Sequence, residues 1–330
     1  MSKKDIGIDL GTANTLIYQK SKGIVLDEPS VVAVDSSSGK IISVGKEAKE
    51  MLGRTPSGIV AVKPVANGVI SDFDAAGAML SSFIKRIFNS TFMPKPRAIV
   101  SVPASITNVE RRATVDATLK SGVSSVKLVE EPMAAAIGAG LSVEAPSGVM
   151  VVDIGSGTTE IAVISLGGIV SDKCIRIGGD ALDNAISSYI RRKYGVFSGK
   201  HNAEEIKLRI GTVMKHCSSH RCQVTGRNAG TGLPCSTYVT GDDIRSAVLP
   251  EIYSIVDAVK SVLEDTPPEL SGDLLLSGIT LTGGGSNING LDRLLASITG
   301  MPVKVADEPL ECVAKGLGSM LSSGKLFEKT

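Results

Sequence analysis

At 330 residues, with 35 basic against 34 acidic side chains and a formal charge of +1, the chain has no bulk charge that would draw it to nucleic acid or an acidic partner. Six Phe, five Tyr and no Trp are too few for a stacking platform, and no stretch reaches the roughly 18 apolar residues of a membrane span. Five scattered cysteines, an odd number, and an N-terminal apolar run broken by Asp5 and Asp9 read as reduced thiols in the cytoplasm rather than an exported disulfide framework.

The chain opens with IGIDLGTANTLIY (6–18), an apolar run ending in Asp9, a Gly/Thr turn and a second apolar run, which predicts a β-hairpin. A β-rich stretch follows at 23–45 with a turn at 36–40, then a short helix at 46–53. The Pro/Gly-rich segment 56–70 reads as irregular, with a strand near 59–62. Apolar residues at helical spacing predict a helix over 74–89, and RAIVSV (97–102) a strand stopped by Pro103. Thr107 and Glu110 form a capping box for the next helix. A strand at 125–129 leads into Glu130-Glu131-Pro132 and an Ala-rich helix.

The second half repeats the plan. VMVVDIGSGTTEIAVI (149–164) is again strand, Gly/Thr turn and strand, with Asp153 in the place of Asp9. A third strand at 168–175, a turn at 177–180 and helices at 181–194 and 203–211 follow. Residues 221–240 read as a β-hairpin and 241–264 as a long helix that the double proline 267–268 ends. The chain closes with a strand at 278–282, the loop Gly283-Gly284-Gly285-Ser286, a helix at 290–299, a strand at 302–305 and a terminal helix at 310–322. Strands alternating with helices imply mostly parallel sheets.

Two facing hairpins could clamp a phosphate chain from both sides. Their glycines admit backbone N–H groups close to the oxygens, and two Asp residues could hold a hydrated divalent cation. The Gly-Gly-Gly turn adds a third loop able to lie flat against a nucleoside. No Gly-x-x-x-x-Gly-Lys-Ser/Thr string occurs, so this is no P-loop protein.

These features resemble the actin, sugar-kinase and chaperone ATPase superfamily. Within it, DLGTANTLIY, VERRATVDA, EEPMAAAIGAGL, DIGSGTTEIAVIS, AEEIK and LTGGG resemble the MreB/Mbl family of bacterial actins along nearly the whole chain. The resemblance implies an α/β, actin-like (ribonuclease H-like) duplicated fold around a nucleotide cleft. The halves would be 1–144, with a small subdomain at about 30–74, and 145–330, with one at about 181–247. The terminal helix would return to the first half.

The resemblance also assigns roles. Gly11, Thr12, Ala13, Asn14 and Thr15 match the first phosphate loop, and Gly155, Ser156, Gly157 and Thr158 the second. Asp9 and Asp153 match the carboxylates that organise Mg²⁺ around ATP. Glu204, Glu205 and Lys207 match residues near ribose and adenine, and Gly283, Gly284, Gly285 and Ser286 the adenosine loop. Glu131 and Thr158 match the pair that positions the attacking water, with Glu130 the alternative as a first-turn helix carboxylate. Pro132 fixes the helix start that aims Glu131.

The chain departs from the family at Ser156, where Gly is usual, at Ser286–Asn289, and across 212–235. In that last stretch His216, Cys217, His220, Cys222 and Cys235 raise the question of zinc. Interleaved on one strand they would point to opposite faces, which favours a diverged, solvated loop. Phe92 and Met93, in an otherwise polar loop beside Lys95 and Arg97, read either as side chains folded onto the sheet or as a shallow membrane insertion near anionic headgroups. The expectation is that the N-terminus is too short for an amphipathic anchoring helix. On helix 107–120, Arg111, Arg112 and Asp116 are either a solvated face or a contact with a neighbouring protofilament.

The expectation is a slowly hydrolysing ATPase that polymerises beneath the inner membrane face and keeps rod shape. Its partners would be itself, the membrane and wall-elongation proteins such as RodZ, MreC and MreD, with no nucleic acid. The rivals are a sugar or acetate kinase, a chaperone-type ATPase and a plasmid-segregating actin.

Overall fold

The computed structural model describes residues 4–88, 95–216 and 219–323. The opening hairpin forms as expected: β1 (Ile6–Leu10) and β2 (Asn14–Gln19) run antiparallel, and β3 (Gly23–Pro29) extends them. β4 (Val32–Asp35), β5 (Ile41–Val44), α1 (Lys46–Glu50) and β6 (Ile59–Val62) build a small satellite layer whose strand order is β5-β4-β6.

β7 (Val65–Ala66) and β8 (Val69–Ile70) are joined by Asn67 and Gly68, at φ 50° and 74°. Left-handed backbone at both positions is what the favoured two-residue hairpin turn demands, and Asn-Gly supplies it with least strain. α2 (Phe73–Ile87) starts at an Asp72 side chain that accepts from Ala75 N–H and buries Met79, Leu80, Phe83 and Ile84. Next come β9 (Arg97–Val102), α3 (Asn108–Lys120), with the Thr107/Glu110 capping box in place, β10 (Ser125–Glu130) and α4 (Glu131–Gly138).

The second half carries β11 (Val149–Ile154), β12 (Thr159–Ser165), β13 (Gly168–Ile175), α5 (Gly179–Tyr194), β14 (Val196–Phe197) and α6 (Lys200–Ile210). The hairpin β15 (Arg221–Asn228) and β16 (Pro234–Thr240) and the long α7 (Gly241–Glu264) follow. The chain then forms α8 (Pro268–Ser277), β17 (Ile279–Thr282), α9 (Leu291–Thr299), β18 (Val303–Val305) and α10 (Cys312–Ser323).

α8 departs from the sequence reading, which placed no helix after the double proline. Pro267 and Pro268 end α7 but sit at the cap and first position of α8, where a missing N–H costs nothing. The third Gly-rich loop likewise coils into a 3₁₀ turn at Gly284–Asn287 before α9.

The repeat in sequence is a repeat in topology. One sheet runs β10-β9-β1-β2-β3 and the other β18-β17-β11-β12-β13. In both, the first strand pairs antiparallel with the second and parallel with the fourth.

Each half has its own apolar core, and a third cluster joins them. Ile99 and Val129 of the first sheet, Val151, Ala162 and Ile164 of the second, Ala134–Ala136 of α4 and Val313, Leu317 and Leu321 of α10 pack together. Here the backbones of α4 and α10 touch. A Cβ on Gly138 would stand 1.7 Å from Cys312 O, and one on Gly316 1.9 Å from Ala134 O. Only glycine permits this approach. α10 also covers β1, where a Cβ on Gly7 would stand 2.7 Å from Leu317 Cβ.

Candidate nucleotide site

The two repeats present equivalent carboxylates. Asp9, on β1, accepts from Ser101 Oγ of β9 at 3.0 Å, and Asp153, on β11, accepts from Thr282 Oγ1 of β17 at 2.9 Å. In each half the adjoining parallel strand holds the Asp with a hydroxyl. Burial, and then the charge of Asp153, push Asp9 up to about 7, with the Ser101 bond opposing. Burial pushes Asp153 up to about 6 against its bond from Thr282. The fold therefore brings the two acids close enough to repel each other.

The first loop is braced from behind. Ser30 N–H donates to Ala13 O (2.8 Å), its Oγ to Gly11 O (2.7 Å), and its hydroxyl meets Thr15 Oγ1 (2.9 Å). A Cβ on Gly11 would lie 2.6 Å from Asn14 O, and Asn14 itself donates to Asp27. The second loop is tied to the start of α5, where Gly179 N–H donates to Gly155 O (3.0 Å) and Asp180 N–H to Ser156 O (2.8 Å). Ser156 Oγ is buried with no hydrogen-bond partner among the described residues.

The third loop lies directly on the strand end that carries Asp153. A Cβ on Gly283 would meet Ile154 O at 2.4 Å and Asp153 Oδ1 at 2.7 Å, and one on Gly285 would meet Ile154 Cγ2 at 2.2 Å. The Ser286 hydroxyl turns back to Gly283 O (2.6 Å) and holds the loop's own shape.

A piece the sequence reading passed over sits between the first two loops. Gly68 N–H donates to Thr12 Oγ1 at 3.0 Å, while Asn67 packs against Gly157 so closely that a Cβ there would lie 2.8 Å from Asn67 Cα. The β7–β8 turn is therefore a wedge in contact with both loops. Its signal, Asn-Gly between apolar pairs, was present inside the stretch read as irregular.

Glu131 and Glu130 differ sharply. Glu131 is 8% exposed in the first turn of α4, and burial, then Glu160, Asp9 and Asp153, push its carboxyl well above the usual range. Glu130 faces Arg111 at 3.8 Å. Glu160 was not anticipated. It stands opposite Asp153 in the β11–β12 ladder, accepts from Ala104 N–H at 3.4 Å, and burial pushes it up to about 7. Its Oε1 has no partner among the described residues. Thr158 is buried just before β12.

On α6, Lys207 donates to Gly179 O (3.0 Å) and pairs with Asp183 (2.8 Å), which ties that helix to the α5 N-terminus beside the second loop. Glu204 pairs with Lys49 of α1 at 3.2 Å, and Glu205 lies 3.4 Å from His201. Phe92, Met93 and Cys217 lie outside the described residues. Arg97, beside the loop of Phe92 and Met93, directs its guanidinium to buried Asp5. Cys222 is buried on the inner face of β15, while Arg221 and Gln223 on either side of it are exposed.

The residues present fit a divalent cation and a phosphate chain. Half-buried Asp9 and buried Asp153 repel each other, with buried Glu131 and Glu160 beside them, and loss of solvation above all holds the four at high proton affinity. The loops around them are glycines whose Cβ atoms would close the approach.

Comparison with known proteins identifies the family and the fold. The family model described as MreB/Mbl protein matches residues 3–329. The cell shape-determining protein Mbl of Bacillus subtilis (strain 168) is 49% identical over 323 residues, covering 98% of this chain and 97% of that protein. The cell shape-determining protein MreB of Escherichia coli (strain K12) is 49% identical over 339 aligned positions, covering 100% and 98%. Among solved structures, MreB5 of Spiroplasma citri bound to ADP superposes with a TM-score of 0.92 at 36% identity, over 97% of this chain and 96% of that one. The MamK double helical filament, at 22% identity and a TM-score of 0.82 over 96% and 98%, shares the fold. The architecture is actin-like, and the chain belongs to the MreB/Mbl protein family.

Proposed function

We propose that the chain is an ATP-binding, slowly hydrolysing bacterial actin whose filaments lie on the inner membrane face and maintain rod shape by organising wall synthesis. The observation that carries this reading is the convergence of three glycine loops on Asp9 and Asp153 between the two halves. It is supported by relatives solved with ADP and with AMPPNP and by relatives named for cell shape.

Asp9 and Asp153 would hold Mg²⁺ through water, and the bound ion would neutralise charge on the phosphates. Backbone N–H groups within 11–15 and 156–158 would grip the phosphates, the Gly155 N–H being spent on Thr158 O inside the turn, and the 283–286 loop would carry the adenosine. Glu131 and Thr158 orient one water. A carboxylate buried among other acids binds a proton more avidly than a solvated one, so Glu131 is the stronger base for that water's proton. Positioning of this kind suffices for phosphoryl transfer to water.

Among the described residues no helix is long and apolar enough to cross a membrane. In this reading attachment is peripheral, through Phe92 and Met93 with Lys95 beside anionic headgroups, and is strengthened by many copies along a filament. RodZ, MreC and MreD are the partners this role calls for. Pelleting and electron microscopy with Mg-ATP, with and without anionic liposomes, test the reading. Nucleotide-dependent filaments that multiply on liposomes support it. A protein that binds ATP yet stays monomeric on every lipid overturns it.

A further inference from the structure

Two ion pairs join the halves across the cleft. Lys49 of α1 meets Glu204 of α6 at 3.2 Å, and Lys63, just past β6, meets Asp180 in the first turn of α5 at 3.2 Å. In both the lysine comes from the small layer of the first half and the acid from the second. α1 packs on that layer and α6 on α5 and β15, so neither pair belongs to the α4–α10 contact.

The two surfaces are complementary in charge. The second half presents Asp180 and Asp183, one turn apart on α5, together with Glu204, and Lys207 pairs with Asp183 among them. Burial, and the charges of Glu204 and Asp180, push Asp183 up despite Lys207. Separating the halves would leave these three acids facing one another with one lysine among them. Around Lys49, Lys46, Arg54 and Glu50 of the first half line a cavity of about 270 Å³ that His201 of α6 closes from the other side.

We propose that Lys49–Glu204 and Lys63–Asp180 form an electrostatic latch across the cleft mouth that gates nucleotide entry and release together. The proposal rests on the nucleotide reading above. Lys63 and Asp180 lie outside the residues matched to the nucleotide, so their pair favours the closed cleft whether it is filled or empty, and Lys49–Glu204 adds to it from the α6 side. A restraint acting equally on both states changes rates and leaves affinity unchanged. The four side chains are 34–40% exposed, so each pair slows opening by on the order of threefold, and salt weakens it.

The test is stopped-flow binding and release of a fluorescent ATP analogue with Mg²⁺, on the full chain below its assembly concentration. Lys63→Met and Asp180→Asn should each raise association and dissociation rates about threefold with Kd unchanged, and the double variant should be no faster than either single. Lys49→Met should add a further factor of similar size. Raising NaCl from 0.05 to 0.5 M should speed the wild type and leave the triple variant unaffected. A faster release with unchanged association would mean that these residues hold the nucleotide itself, and would overturn the latch. So would effects that multiply within a pair, or no effect. A wild type that binds no analogue overturns the nucleotide reading instead. The latch is then judged by thermal melting of the unliganded protein, where additive effects of Lys63→Met and Asp180→Asn count against it.

Discussion

The Thr12 hydroxyl accepts from Gly68 N–H at 3.0 Å and lies 2.7 Å from where a Cβ of Gly157 would stand. One side chain of the first phosphate loop thus meets both the Asn67–Gly68 wedge and the second loop. The three segments are fitted to one another without spare volume.

Gly157→Ala should therefore separate the loops. Its methyl group would collide with Thr12 Oγ1 and with Asn67 Cα and N at 2.7–2.9 Å, and two of these are backbone atoms that cannot swing aside. Affinity for a fluorescent ATP analogue should fall roughly tenfold or more, while far-ultraviolet circular dichroism stays that of the wild type. Unchanged affinity would show that the second loop has room to move.

Removing the base at 131 should uncouple hydrolysis from binding. Glu131→Gln should lower phosphate release by about a hundredfold or more and leave ATP affinity and filament formation in place. Glu130→Gln, which alters only a partner of Arg111, should leave release near the wild-type rate. Phosphate release followed with a coupled assay distinguishes them, and an equal loss in both variants would refute the assignment.

The buried acids predict an inverted pH dependence. Asp9 and Glu160 are pushed up to about 7 and Asp153 to about 6, and in the unfolded chain they return to ordinary values of 3.8 to 4.5. Between those limits the folded protein holds more protons than the unfolded one, so its stability falls as pH rises. Asp243, held down to about 2 chiefly by Lys193 against the cost of burial, loses its contribution only as pH falls below that window. Nucleotide-free protein in EDTA should melt several degrees lower at pH 8 than at pH 5.5. Glu160→Gln should flatten the slope, and excess Mg-ATP should reverse it. A melting temperature that rises with pH in EDTA would contradict the clustering of these acids.

The α4–α10 contact makes a separate demand. Gly138→Ala and Gly316→Ala each force a methyl group into a carbonyl within 2 Å, so the helices must part. Each should cost about 1–3 kcal/mol in urea unfolding, the range for overpacked cores. A midpoint equal to the wild type would mean that the helices pack more loosely than the structure has them.

The duplicated hairpins and the Thr107/Glu110 cap were legible because they are local: alternation, turn glycines and a capping residue lie within a dozen positions. α8 was missed because proline stops one helix and starts another, and its sequence does not say which. The wedge was missed for a different reason. Its two-residue strands are too short for periodicity, and only the Asn-Gly pair marks them. Glu160 looked like one residue of an apolar strand, and its place among Asp9, Asp153 and Glu131 depends on two chain segments meeting. Lys49, Lys63, Asp180 and Glu204 found their partners only in three dimensions.

The glycine contact between α4 and α10 has a mechanical meaning. Helices that interdigitate through side chains can slide along their ridges, whereas two backbones touching at Gly138 and Gly316 have no ridge to follow. Two helices held at two such places, one turn apart, resist sliding along each other. The contact therefore fixes the register of α4 against α10, and through α4, which packs on both sheets, the depth at which the halves meet.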